Sequence, residues 1–295
     1  MPLERRSRID PNNRMGVDFH AARAFQTRFE TLPPDQRRAA MESATFRNKE
    51  PHKGESALFK RAVLAILDQL EGRLTPEQTE LLLALGSQIE PALAVWQGKE
   101  GLDTKGAPSK DGIQHWIDAL SPQALDGILE YREPRLVVVP PELTIELLKR
   151  IGGHDYYPKG WDKVQAPGWK FGITDGVEDM EFDPSIFYVN PDASEDERTP
   201  RTNEQMVLEY ARRFQAIKGQ DLMPQNAYVP AAATVMAGGK VLDRANYTAF
   251  KKPKGASYLP GAGWGGDRVG LGGYDPEGSN QYLRCRPWVE GEMSA

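Results

Sequence analysis

From Ala256 to Trp288 the chain reads ASYLPGAGWGGDRVGLGGYDPEGSNQYLRCRPW. No other stretch limits the fold so strongly. Glycine within a strand has no side chain to pack and weakens the strand. Such a segment cannot supply a core and needs fixed framework residues around it. A plain linker, however, has no use for the Tyr and Trp that crowd it. Rigid aromatic anchors beside small adaptable groups make up displayed binding surfaces such as antibody loops. Turns joining surface strands have a similar composition.

Alternation refines this reading. Val269 and Leu271 alternate with Gly270 and Gly272, and Leu283 and Cys285 alternate with Tyr282, Arg284 and Arg286. A period of two puts each set on one strand face. The apolar set is expected to anchor its strands to a core. The other set, with Trp264, Tyr274, Tyr282 and Trp288, is expected to face outward. Large rings beside an arginine are the residue types that dominate binding hot spots.

Upstream, the periodicity is helical and then mixed. Residues 1–54 are polar, with short amphipathic patterns at Ala21–Phe29 and Pro34–Ser43, and read as a partly disordered or short-helical segment. Residues 55–133 read as a helical region. A first helix follows Ser56. Thr75-Pro76-Glu77 opens a second, which Pro91 is expected to bend or interrupt. Asp111–Leu120 and Ser121–Leu129 follow, with Trp96 and Trp116 as core anchors. Residues 134–295 change character. Leu136–Val139 reads as a buried strand, Pro141–Ile151 as a helix, Trp169–Ile173 and Ser185–Val189 as strands, and Asn203–Lys218 and Tyr228–Ala237 as helices. The order predicts an α+β domain with a mixed or antiparallel sheet and two or more helices, preceded by the helical N-terminal region.

The totals set outer limits. At 295 residues the chain suits one large domain or two ordinary ones. A net charge of -5 gives no global polycation for nucleic acid or an acidic membrane. One cysteine, Cys285, excludes an intrachain disulfide and favours a reducing compartment. No apolar run reaches membrane-span length, and the N-terminus lacks the apolar region of a signal peptide. A soluble, cytoplasmic protein is expected.

Catalytic signatures are weak. Gly261–Gly266 matches G-x-G-x-x-G, but a dinucleotide loop must enter a helix, and DRVGLGGYDPEG cannot be one. His20, His52, His115 and His154 are not at metal-ligand spacing. Asp175, Glu178, Asp179, Glu181 and Asp183 do not follow an EF-hand pattern and read as a solvated acidic edge strand. No cofactor and no metal are expected.

Beyond these patterns, LDRANYT, then Trp264, Val269, Leu271, Asp275, Pro276, Gly278, Leu283, Arg284, Arg286 and Pro287, form a string that resembles the C-terminal region of variable proteins from diversity-generating retroelements, particularly those of minimal-genome bacteria and archaea. The resemblance covers about residues 134–295. It implies a C-type-lectin fold, related to that of formylglycine-generating enzymes, in which template adenines are mutated during reverse transcription. Asn codons altered in this way can specify Gly, Tyr, Ser, Arg, Asp or Cys. Gly261, Gly263, Gly265, Gly270, Gly272, Tyr274, Gly278 and Tyr282 would then be diversified positions, with Cys285 as a further candidate. The EPN and WND tripeptides of animal lectins are missing, so carbohydrate binding is not implied. The related oxidase activity needs paired cysteines, which the chain lacks.

The expectation is therefore a non-enzymatic binding protein for an unidentified protein or other macromolecule. Its ligand-binding residues would be Gly261, Gly263, Trp264, Gly265, Arg268, Gly270, Gly272, Tyr274, Gly278, Tyr282, Arg284 and Trp288. Two rivals stand beside it. One is an α+β enzyme using His154-Asp155 or the acidic turn. The other is a nucleic-acid-associated protein using Arg5, Arg6, Arg8 and Arg14.

Overall fold

The computed structural model describes residues 72–97, 102, 104–141, 168–217, 219–265 and 268–291. The helices expected over 21–29, 34–43 and 56–70, and all but the first residue of 141–151, lie outside the described residues, as do His154-Asp155 and the N-terminal arginines. By compactness the chain divides between Ser87 and Gln88. None of the described helices is long and apolar enough to cross a membrane.

In the first unit, α1 spans Pro76–Ser87. Thr75 Oγ1 accepts from the Gln78 amide at 3.2 Å, and Gln78 Oε1 accepts from the Thr75 amide at 3.0 Å. This reciprocal box satisfies two donors at the helix start, with Pro76 at the first helical position. The helix stops at Ser87, four residues before Pro91. The proline ring has no N–H to offer that carbonyl and clashes with it.

The second unit opens with three short helices, α2 (Ile89–Ala94), α3 (Lys110–Asp118) and α4 (Pro122–Leu129). Ser109 and Ser121 cap the latter two, accepting from Gly112 at 2.9 Å and from Ala124 at 3.2 Å. Ile113, Ile117, Leu125 and Ile128 are fully buried. Trp96 is also buried and donates its indole N–H to the Val138 carbonyl at 2.9 Å. Trp116 is half-buried and meets Phe171 edge-on with centroids 5.2 Å apart. Both tryptophans thus act as the expected anchors.

Among the described residues, eight strands form two four-stranded sheets. The first has the order β1-β2-β8-β3, from Pro134–Val139, Lys170–Asp175, Pro287–Glu290 and Asp221–Leu222. All its pairings are antiparallel. The Gln88 side chain covers part of the outer edge of β1: its amide donates to the Pro134 carbonyl at 3.0 Å, and its oxygen accepts from the Leu136 amide at 2.9 Å. The second sheet has the order β6-β5-β4-β7, from Arg268–Tyr274, Leu259–Gly265, Tyr247–Ala249 and Leu283–Arg284, with only the β4–β7 pair parallel. The fold is therefore α+β with antiparallel and mixed sheets.

Two longer helices flank the strands. α6 (Asn203–Gln215) carries a Thr202/Gln205 capping box. Its Met206, Val207 and Tyr210 enter a core with Leu222, Ala249, Leu259, Leu283 and Cys285. α7 (Gln225–Ala237) lies against β1 and β5 and is buried on most of its circumference. Both agree with the apolar patterns read from sequence.

Two expectations fail between residues 179 and 189. Ser185–Val189 is not a strand: Pro184–Phe187 forms the one-turn helix α5, and only Tyr188 makes a bridge, to Pro200. Asp183 caps the turn by accepting from the Ser185 amide at 2.8 Å, and Pro184 holds the first helical position. Nor do the acidic residues form an edge strand. Each carboxylate takes its own partner. Asp179 accepts from the Ala245 amide at 2.8 Å, Glu181 from Arg132 at 2.8 Å and Asp183 from Arg213 at 2.7 Å.

Glu209 on α6 has a consequence for acid stability. Arg212 reaches it at 2.6 and 2.9 Å and Arg213 at 3.0 Å. The hydrogen bonds from Arg212, opposed by burial and reinforced by Arg213, lower its pKa from 4.5 to about 2. A carboxylate with a depressed folded-state value adds stability above its unfolded value and loses it as pH falls toward the folded one. Glu209→Gln should therefore lower stability at neutral pH and flatten its decline between pH 4.5 and about 2. Urea unfolding at several pH values checks this, and an unchanged acid limb would remove Glu209 from the account.

Candidate functional site

The β5–β6 hairpin separates its residues into two faces by register. Ala262 pairs with Leu271 and Trp264 with Val269, while Gly261 pairs with Gly272, Gly263 with Gly270 and Gly265 with Arg268. Ala262, Val269 and Leu271 are sealed inside. Alternation in β6 thus gives the expected apolar anchors. Trp264 shares their face and is half-buried, so it belongs with the framework side rather than with the glycines as expected.

The glycine face changes character across the sheet. Ala249 of β4, Leu283 of β7 and Leu259 at the start of β5 join the core under α6. On the edge strand β6, Gly270 and Gly272 lie open: a Cβ at Gly272 would meet nothing within 4 Å, and one at Gly270 only the Gly263 carbonyl oxygen at 3.7 Å. Two tyrosines stand at the boundary. Tyr247 on β4 pairs with Gly263 and is 37% exposed, and Tyr274 ends β6 with its ring 5.8 Å from that of Tyr247. Burial, then Tyr247 and Asp243, push the Tyr274 hydroxyl well above its ordinary pKa. Tyr282 is 52% exposed, and its carbonyl accepts from the Tyr247 amide at 2.9 Å. Sequence reading missed Tyr247. It lies in β4, far from the glycine-rich stretch, and only the β4–β5 register brings it to this face. Its one signal was its place in LDRANYT.

Arg284 and Trp288 are not on the surface. They are 5% and 3% exposed, and Cys285 and Arg286 between them are buried too. The expected two-face alternation fails because β7 is only two residues long. The chain then crosses from the second sheet into β8 of the first. Arg284 donates to the carbonyls of Glu181, Gln281 and Leu283, with its guanidinium 5.1 Å from the Phe182 ring. Cys285 is sealed in the core, where burial, reinforced by Asp243, holds its thiol well above the usual pKa and so protonated and inert. It is not a surface position.

The crossing is fixed by a fully buried ion pair. Arg286 Nη2 donates to Asp243 Oδ1 at 2.6 Å, and Arg286 Nη1 to the Asp175 carbonyl at 2.7 Å. Thr248 Oγ1 donates to Asp243 Oδ2 at 2.6 Å. Burial opposes the Arg286 charge, but the Asp243 carboxylate outweighs it and raises the guanidinium pKa. Asp243 has φ +55, a left-handed conformation that Asp and Asn adopt more readily than other side-chain-bearing residues.

The Asp275-Pro276-Glu277-Gly278 turn serves α6. The first two amides of that helix donate into it, Asn203 to the Gly278 carbonyl at 2.7 Å and Glu204 to the Pro276 carbonyl at 3.1 Å. Asn203 Nδ2 also reaches the Asp275 carbonyl at 2.8 Å. A Cβ at Gly278 would approach that Asn203 nitrogen at 3.3 Å, so this glycine sits against the helix start rather than on the open face. Gly265 and Arg268 close the hairpin opposite one another. Among the described residues, no group of three or more His, Cys, Asp or Glu is placed to hold a metal ion.

Compared with known protein families, curated proteins and solved structures, the chain matches none.

Proposed function

We propose that this protein is a non-enzymatic recognition protein, diversified by a retroelement and built on a C-type-lectin-like framework. Its ligand, a protein or other macromolecule, meets the open β6 edge of the glycine face and the rings of Tyr247, Tyr274 and Tyr282. The observation that carries this reading is the division within β6. Val269 and Leu271 are sealed, while Gly270 and Gly272 between and beside them have room for a side chain. A strand divided in this way can vary its outer residues without disturbing the core. The fixed members of the resembling string support the reading, because they have structural work: Asp275–Gly278 caps α6, Leu283 fills the core, and Arg286 pairs with Asp243. Tyrosines on rigid elements supply contact area at low entropic cost.

A displayed library tests it. Randomising 270, 272, 274 and 282 should leave most members folded by protease resistance, and selection on protein targets should yield binders. Randomising 269 and 271 instead should leave few members folded. Equal losses in the two libraries would sink the proposal. In the genome, a near-copy of the segment encoding Ala256–Trp288, differing mainly at adenines and beside a reverse-transcriptase gene, is the expected companion.

A further inference from the structure

Two glycines of this face are not open. A Cβ at Gly261 would lie 2.3 Å from Cε2 and 2.8 Å from Cδ2 of Tyr274, and one at Gly263 would lie 2.6 Å from Cδ1 of Tyr247. Each ring therefore occupies the volume that a side chain beneath it would need. Gly270 and Gly272, on the same face, have no such cover. The face thus carries two kinds of glycine, open ones and ones roofed by an aromatic ring.

We propose that residues 261 and 263 are specificity-determining positions that act through the rings above them: with glycine, Tyr274 and Tyr247 lie against the sheet, and any side chain there lifts the ring toward solvent. This rests on the reading of the glycine face as a recognition surface. The ring is the group that yields. The backbone neighbours are farther away, the Thr248 carbonyl at 3.3 Å from the Gly261 position and the Asn246 carbonyl at 3.0 Å from the Gly263 position. Those carbonyls belong to or adjoin the β4 pairing with β5 and cannot turn aside, whereas a tyrosine has two side-chain torsions to adjust. A change beneath the surface thus rewrites the aromatic surface without itself touching the ligand. Positions 261 and 274 become coupled, the residue at 261 setting the posture of the ring at 274. Tyr247 lies outside Ala256–Trp288, so the residue at 263 alone decides the posture of a constant ring.

A double-mutant cycle on the unliganded protein tests this, with Gly261→Ala, Tyr274→Ala and the pair compared by urea unfolding. Gly261→Ala alone should destabilise. In the Tyr274→Ala background the same change should be neutral or favourable, a coupling of about tenfold or more in the unfolding equilibrium constant. If Gly261→Ala does not fold, restoration of folding by Tyr274→Ala carries the same meaning. Gly272→Ala, which meets nothing, is the control and should be near neutral. As a second readout, a lifted Tyr274 should titrate nearer the ordinary tyrosine value of about 10. Additive effects, failure of Tyr274→Ala to rescue, or equal damage from Gly272→Ala would overturn the proposal. Intact coupling in a protein whose displayed libraries yield no binders would sink the recognition reading instead, so the two failures are distinct.

Discussion

Asp243→Asn should destabilise the Gln88–Ala295 unit by roughly 3–5 kcal/mol, the cost of leaving a buried charge without its partner. In a domain of this size that is a fall in Tm of roughly 6–20 °C. Both side chains of the pair have no exposure, and Arg286 has no route to water. The substitution is chosen to isolate charge. Asn tolerates the left-handed backbone that Asp243 adopts and keeps one acceptor oxygen, so neither strain nor shape explains the loss. It cannot neutralise the guanidinium, and it weakens the acceptor for Thr248 Oγ1. Asp243→Asn combined with Arg286→Met should recover much of the loss, since it removes the uncompensated guanidinium while Asn keeps the left-handed backbone. Arg286→Lys should not: a point-charge ammonium cannot span Asp243 and the Asp175 carbonyl in the planar manner of the guanidinium. Urea unfolding of the three variants decides the matter, and a loss below about 1 kcal/mol for Asp243→Asn would mean that water reaches the pair.

The second large effect belongs to Trp288, a residue expected on the surface. Trp288→Ala should cost roughly 3–5 kcal/mol, as aromatic truncations in cores do. Tyr282→Ala should stay within about 0.5 kcal/mol of the parent. Trp288 lies in β8, opposite Thr174 of β2 on one side and Asp221 of β3 on the other. Its ring fills the space above Gly172, where a Cβ would come within 2.4 Å of Cζ2. Among the described residues the indole N–H finds no hydrogen-bond partner, so Trp288→Phe should be far milder than the alanine variant. Thermal melting of the three variants separates the cases. A small loss for Trp288→Ala beside a large one for Tyr282→Ala would reverse the assignment of core and surface.

Much of this could be read from sequence because it is local. Thr75-Pro76 and Ser121-Pro122 announce helix starts through hydrogen bonds between residues three apart, and these form as expected. Val269 and Leu271 reveal their sealed face because β6 continues long enough for a period of two to register. The errors arise where a non-local choice overrides the pattern. In Ser185–Val189 the β-branched and aromatic residues suggested a strand, but Asp183-Pro184 just before them is a helix start and prevails. In residues 281–288 the alternation is genuine in sequence, but the chain changes sheets at Cys285–Arg286, so alternate residues no longer face one surface. Trp264 was grouped with the glycines by composition, whereas its spacing of two from Ala262 already placed it on the other face.

The order of strands in the first sheet carries a consequence for chain quality. β8 lies between β2 and β3, yet it follows the glycine-rich hairpin in the chain. A polypeptide cut short anywhere from residue 256 to residue 286 lacks that inner strand, and one cut short before 286 also lacks the guanidinium opposite Asp243. Such a product cannot close its first sheet. If rewriting of the hairpin introduces a premature stop or a frameshift, the defective copy exposes unpaired strand edges and is open to proteolysis. On the proposed reading, placing an indispensable strand downstream of the hairpin makes folding itself the proofreader of full-length readthrough.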